Sequence, residues 1–216
     1  MEGQGVVMVG GGGHALVCIE VLRELGCHVV ACLSDDPEAA PPGLDVPIAG
    51  GSRDIARLLA DAGTHCFVAV GDNRSRARLT ALVVAAGGTL VPAVSANSVV
   101  SPTATIGPGA LVMPGAVVNA WATVGAGAIV NTRASIDHEC SVGDWSHVGP
   151  GATLAGNVTV GEGALVGVGV SVIPGRMIGA WSTVGAGAAV VRDVEPSTVV
   201  AGVPATVGYA GSGTRK

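Results

Sequence analysis

From Val94 to Val190, every sixth residue of the chain is Val, Ile or Leu, without a break. Four places after each stands a residue that is nearly always small: Ala104, Ala110, Ala116, Ala122, Ala128, Ala134, Cys140, Ser146 and Ala152. A helix repeats about every 3.6 residues and a pleated strand every second one, so neither requires a strict beat of six. A coil of short flat segments does, because each corner must send one side chain into a narrow interior. Three hexads close one triangular coil, and the run makes between five and six coils. Coils stacked like paired strands, about 4.8 Å apart, give a prism roughly 27 Å tall. Any chemistry on such a column is confined to outward-facing positions.

Composition supports thin layers. Apolar residues make up 49% of the chain but aromatic ones only 2%, so the core must be built from Val, Ala and Leu. The 35 glycines follow no Gly-X-Y period, which excludes collagen. A net charge of −5 without any basic run argues against a nucleic-acid partner. The five cysteines (Cys18, Cys27, Cys32, Cys66 and Cys140) form no CxxC pair and read as reduced, buried residues of a cytoplasmic protein. No leader pattern and no bilayer-length apolar run is present, so no membrane association is expected.

The first half reads differently. Val6–Val9 is a short strand, followed by four glycines and a helical pattern from His14 to Leu25 that stops at Gly26. A second strand spans His28–Leu33, Ser52 caps a helix through Ala60, and a third strand spans Cys66–Val70. A helix over Arg74–Ala86 and a strand over Thr89–Val91 complete the pattern. Alternating strands and helices imply a small, Rossmann-like parallel sheet. The expected division is an α/β domain over 1–92, an all-β prism of hexapeptide repeats over 93–207, and a flexible tail over 208–216.

Several motifs carry chemistry. Gly10-Gly11-Gly12-Gly13-His14-Ala15 fits GxGxxA between a strand and a helix, where bare backbone and a helix N-terminus suit a phosphate. Asp35 and Asp36 follow about 20 residues on, where an acid can hold a ribose hydroxyl. NAD and a nucleotide sugar both fit; the sheet is small for the two mononucleotide halves that NAD needs. The plainer reading is a tight turn of small residues. Gly71-Asp72-Asn73-Arg74 lies at a strand C-terminus, a common ligand position, although Asp72 or Asn73 can equally cap a helix. Arg74, Arg76 and Arg78 suit either phosphate or a solvated helix face.

Asp137-His138-Glu139-Cys140 and the following His147 form the sharpest cluster, holding the only two histidines of the prism. An imidazole can take a proton at neutral pH, and an adjacent carboxylate can fix its tautomer. A pair of solvated surface histidines is the alternative. With two histidines and no spaced third, zinc is not expected. Trp121, Trp145 and Trp181 share the fourth hexad place, and Trp145 and Trp181, two coils apart, share a face. They suit a subunit contact, a ligand wall, or chance placement.

Taken in order, the glycine loop, Gly71-Asp72-Asn73-Arg74, Ile129-Val130-Asn131-Thr132, Ile136-Asp137-His138-Glu139-Cys140, Val142-Gly143-Asp144, His147, Pro150-Gly151 and Ala201-Gly202-Val203-Pro204-Ala205 resemble the NeuD/PglD-like sugar acyltransferases. This family covers sialic-acid O-acetyltransferases and bacillosamine or perosamine N-acetyltransferases, and the likeness spans nearly the whole chain. It implies homotrimers of left-handed parallel β-helices, with acetyl-CoA in a groove between adjacent prisms. By this resemblance His138 is the general base and Glu139 orients it. His147, Gly156, Gly167, Val168, Gly185 and Ala186 contact CoA, with the Gly156 N–H facing the oxyanion. Asn131 lies near the sugar. Gly10, Gly12, Gly13, His14, Asp35, Asp36, Gly71, Asn73 and Arg74 form the nucleotide-sugar site. Arg133 stands where a small residue is common.

The expected reaction is direct transfer from acetyl-CoA to the amino group of a nucleotide-linked 4-amino-4,6-dideoxyhexose. No metal is expected to take part, and no acyl-enzyme is needed, since Cys140 is at an inward place. O-acetylation of a sialic-acid-type hydroxyl is the alternative within enzymes. A non-catalytic nucleotide-sugar sensor is the alternative from a different class, and a γ-type carbonic anhydrase is a third option.

Overall fold

A computed structural model of the 216-residue chain describes residues 3–62 and 65–208. The expected tail therefore lies outside the described residues from position 209 onward. In the first half, β1 (Gly5–Val9), β2 (His28–Leu33), β3 (His65–Val68) and β4 (Thr89–Leu90) form one sheet in the order β2-β1-β3-β4. Every pairing in it is parallel. The crossovers include α1 (Gly13–Glu24), α2 (Ile55–Ala62) and α3 (Asn73–Ala85). Because β2 and β3 flank β1 on opposite sides, the order reverses there, which opens a crevice above the strand C-termini.

One local expectation needs correction. Ser52 does not cap α2; Ser52–Asp54 is a 3-10 turn and the α-helix starts at Ile55. The reason is competition from carboxylates: Gly51 N–H donates to Asp54 Oδ2 (3.0 Å) and Ser52 N–H to Asp35 Oδ1 (2.6 Å), tying this turn to β2. Asp72, by contrast, does cap α3, accepting from Ser75 N–H at 2.8 Å.

Ala93 onward forms a three-faced parallel β-helix, consistent with a left-handed one. Its rungs are mostly two-residue strands. The first face carries Ala93–Val94, Leu111–Val112, Ile129–Val130, His147–Val148, Leu165–Val166, Thr183–Val184 and Val199–Ala201. The second begins at Val99–Val100 and runs through Ser135–Ile136 and Thr153–Leu154 to Ala189–Val190. The third begins at Thr105–Ile106 and runs through Thr123–Val124 and Ser141–Val142 to Met177–Ile178. Rungs pair with the residue 18 positions on, as Thr123 does with Ser141, up to Thr183, which pairs with Val199.

The inward aliphatic residues stand on the flat faces, not at the corners as the sequence suggested. The corners are turns whose third residue after the aliphatic one has a positive φ. Glycine fills most of these places, but Trp121, Arg133, Glu139, Trp145, Asn157 and Trp181 occupy six of them at φ between 51° and 61°. A side chain held in this left-handed region is strained by roughly 1–2 kcal/mol, so six such residues mark positions where the side chain matters. The repeat slips after Val190: Val194 bridges Ile178 and Val200 resumes the interior, then Thr206–Val207 pairs antiparallel with the last rung.

The two halves share a core. Cys18, Leu22 and Phe67 pack in one buried cluster with Val91, Ala93, Leu111, Met113 and Ile129. The N-terminal sheet and helices thus cover the first face of the prism. That placement decides where the functional groups stand.

Candidate functional site

The crevice at the switch point is a cavity of about 380 Å³. Gly10, Gly11, Gly12, Gly13 and His14 line it with Ser34, Asp35, Asp36, Ser52 and Gly71. Glycine is required at Gly10, whose φ is +122° and whose hypothetical Cβ would lie 2.5 Å from the Ala69 carbonyl oxygen. At Gly12 and Gly13 a Cβ would meet nothing within 4 Å. Gly12 is the N-cap of α1; it has no side chain to cap the helix, and the first turn has no acid. The helix therefore keeps its positive end for an anion. Asp35, whose carboxyl is lowered mainly by the Ser52 backbone hydrogen bond, stays ionised on the opposite rim.

The cavity floor abuts the prism through a buried guanidinium. Arg76 is 1% exposed and donates to the carbonyls of Val70, Gly71, Gly127, Trp145 and Ser146 and to Asn73 Oδ1, at 2.7–3.2 Å. Burial lowers its pKa to about 10, so it remains a cation. Asn73 donates in turn to the carbonyls of Gly163 and Ala164. Arg76 is neither a phosphate ligand nor part of a solvated face, as the sequence allowed; it clamps the two halves together. Nothing in the local sequence separates it from Arg74 and Arg78, which are both exposed. Asn73 and Arg74 lie off the glycine-loop cavity: Asn73 is committed to the prism backbone, and the Arg74 guanidinium sits 4.6 Å over the Trp181 ring. Trp145 and Trp181 therefore lie beneath α3 as walls between the two halves.

His147 stands at the same junction. Thr132 N–H donates to Asn131 Oδ1 (2.7 Å), which turns the Asn131 amide Nδ2 toward His147 Nε2 at 2.9 Å. Nε2 must accept, so Nδ1 carries the proton; the Gly71 backbone also hydrogen-bonds this ring. Burial first, then Arg76 and His14, push the His147 pKa down to about 4. Burial and Arg76 likewise lower His14, whose Nε2 is buried without a partner. Both imidazoles are neutral at physiological pH and unsuited to the work of a general acid.

His138 is placed otherwise. It follows Ser135–Ile136, at the corner between the second and third faces, with its side chain 58% exposed. Its Nδ1 lies 3.1 Å from Glu139 Oε2, so Nε2 is the nitrogen left for a reactant. Its backbone N–H donates to Asp137 Oδ1 (2.7 Å), which also accepts from Asn119 Nδ2. One coil on, Gly156 lies under the ring: a Cβ there would come within 2.5 Å of His138 Cε1. Glu139 takes the left-handed corner position at φ 60°. Bare backbone below and a strained carboxylate beside it together define the orientation of the imidazole.

One chain does not bring all the expected site residues together. His138, Glu139 and Gly156 stand on the second-to-third corner. Asn131, Gly167, Val168, Gly185 and Ala186 follow first-face rungs, on the first-to-second corner. The cavity and His147 belong with the latter group, because the N-terminal half covers the first face. The second face of the prism separates the two sets. Among the described residues, no group of three or more His, Cys, Asp or Glu is placed to hold a metal ion, and no helix is long and apolar enough to cross a membrane.

Residues 5–83 match the family model of the PglD N-terminal domain. No match was found among curated protein sequences. Among solved structures, the chain is similar to PerB from Caulobacter crescentus in complex with CoA and GDP-perosamine, at 46% identity, TM-score 0.90, covering 94% of this chain and 97% of that one. It is similar at 45% identity and TM-score 0.91, over 94% and 96%, to a histidine-to-asparagine variant of perosamine N-acetyltransferase from the same organism, in complex with the same two ligands. The acetyltransferase domain of PglB from Neisseria gonorrhoeae, in complex with acetyl coenzyme A, aligns at 35% identity and TM-score 0.88, over 94% and 98%. The glycine loop, the three-faced prism and these relatives agree along almost the full length, and the chain belongs to the NeuD/PglD-like family of sugar acyltransferases.

Proposed function

We propose that this chain transfers the acetyl group of acetyl-CoA to the amino group of a nucleotide-linked 4-amino-4,6-dideoxyhexose, with His138 as general base. The observation that carries this reading is the exposed His138–Glu139 couple, 3.1 Å apart, set over the bare backbone of Gly156. The CoA and GDP-perosamine bound by the relatives support the choice of donor and acceptor.

The amine lone pair attacks the thioester carbonyl carbon, and the C–N bond forms as the carbonyl electrons move to oxygen. The Gly156 N–H faces the developing oxyanion, a contribution of ~3 kcal/mol in comparable sites. His138 Nε2 accepts the amine proton, and Glu139 stabilises the imidazolium through Nδ1; a placed base contributes ~10²–10⁴ in rate. The oxyanion collapses, the C–S bond breaks, and the proton passes from His138 to the departing thiolate. No acyl-enzyme forms: Cys140 is buried, and desolvation raises its thiol pKa.

The working unit is a homotrimer. The cavity lies behind the first face and His138 on the opposite corner, so an acceptor anchored in one subunit's cavity meets the base of its neighbour. Three prisms around an axis create three such composite sites.

The test is CoA release with nucleotide-linked amino sugars. His138→Ala is expected to lose at least ~10²-fold in kcat with trimer mass and CoA binding intact; near-normal turnover removes His138 as base. Mixing His138→Ala subunits with subunits whose cavity is filled by Gly12→Phe is expected to restore activity in mixed trimers. No restoration would contradict the shared site.

A further inference from the structure

We infer that Trp121 is the platform on which the acceptor sugar stacks while its amine reaches His138. This rests on the reading of His138 as the base.

Trp121 is 70% exposed in a chain with few aromatic residues. Trp145 and Trp181 lie half-buried under α3, whereas Trp121 stands on the second-to-third corner, away from the N-terminal half. Thr123 pairs with Ser141, so Trp121 sits one coil directly before Glu139. The Glu139 N–H donates to the carbonyl of Ala120, the residue preceding the indole (3.0 Å). The backbone at Trp121 has φ 61°, the left-handed place that glycine fills at most other corners. An exposed indole held at the cost of backbone strain, next to the reacting centre, calls for a ligand-binding explanation.

The geometry selects the occupant. Adjacent coils are about 4.8 Å apart, close to the width of a pyranose ring. A hexose whose amino nitrogen meets His138 Nε2 can lie toward either end of the prism while its nucleotide reaches the neighbouring subunit's cavity. On the C-terminal side the imidazole already covers Gly156. On the N-terminal side lies the indole face, which matches the C–H edges and methyl group of a 6-deoxy sugar. Asn119 and Asp137, joined at 3.1 Å and half-buried beside it, offer amide and carboxylate groups to hydroxyls. An apolar ring edged by a few fixed polar groups is the usual construction of a small-molecule subsite.

The test uses Trp121→Gly and Trp121→Phe with whichever of the GDP-, UDP- or dTDP-linked 4-amino-4,6-dideoxyhexoses the wild type acetylates. Glycine relieves the positive φ, so Trp121→Gly is expected to keep or raise Tm and to keep the trimer mass. Its KM for the sugar nucleotide is expected to rise about tenfold or more, while the KM for acetyl-CoA changes less than about twofold. Trp121→Phe is expected to recover most of the loss. An unchanged sugar KM in Trp121→Gly overturns the platform and leaves His138 untouched. So does a fall in trimer mass, which would make the indole a subunit contact. A wild type that acetylates none of the panel overturns both readings.

Discussion

Replacing Gly156 with alanine adds one carbon beneath the His138 imidazole and leaves the prism alone. Gly156 is not among the residues with positive φ, so its backbone accepts a side chain without strain. The new Cβ would lie 2.5 Å from Cε1, 2.6 Å from Nε2 and 3.2 Å from Nδ1 of His138. Ordinary carbon contacts need about 3.5 Å, so the imidazole must retreat by about 1 Å. It can do so cheaply, being 58% exposed, but retreat alters its 3.1 Å contact with Glu139 and moves Nε2 off the position proposed for the reacting amine. A misplacement of this size costs ~10²-fold in rate, or about 2.7 kcal/mol of transition-state stabilisation. The assay is steady-state CoA release at saturating acetyl-CoA and acceptor, with Tm and trimer mass measured in parallel. The expected result is a hundredfold-lower kcat in a protein of unchanged stability. Wild-type kcat in Gly156→Ala would show that the observed imidazole position is not the reactive one.

Arg76→Ala is expected to destabilise the fold by about 3 kcal/mol, because several buried carbonyls lose their donor at once; Arg76→Lys recovers little, since one ammonium cannot span the fork. Urea unfolding checks this, and a change below about 1 kcal/mol would refute the clamp. His147, held neutral with a pKa of about 4 against an ordinary value of 6.5, makes stability depend on acid. Between those values the unfolded chain binds a proton that the fold refuses, so stability falls as pH drops from 6.5 to 4, by up to about 3 kcal/mol. Tm across that window should fall less steeply in His147→Gln; parallel curves would contradict the assignment. All five cysteines are buried, and burial pushes Cys18 and Cys66 up to about 12 and Cys32 up to about 11. A thiol-specific disulfide reagent should therefore react with none of them in the native protein, and a stoichiometric fast phase accompanied by inactivation would reopen a thioester intermediate.

The hexad was sufficient for the prism because the repeat is itself the packing rule: Val130, Val148, Val166 and Val184 stack 18 residues apart in one interior. The glycine loop was legible for a similar reason, since its function lies in backbone geometry that only glycine permits, as at Gly10. His138 and Glu139 were visible as neighbours in the chain, and neighbours at a corner remain neighbours in the fold. The aliphatic beat does not single out the left-handed corner place, although its occupants, glycine and a few large residues, carry a signal of it.

What no pattern contained was the relation between the halves. Arg74, Arg76 and Arg78 alternate along one helix and look alike in sequence; docking against the first face buries Arg76 and leaves the other two in water. That same docking brings His147 to Gly71, sets its charge state, and puts the cavity and His138 on opposite sides of the column. Local periodicity specifies each layer because its contacts recur at fixed spacing. The interface between the layers joins residues such as Asn73 and Gly163, 90 positions apart, through hydrogen bonds that recur nowhere else in the chain.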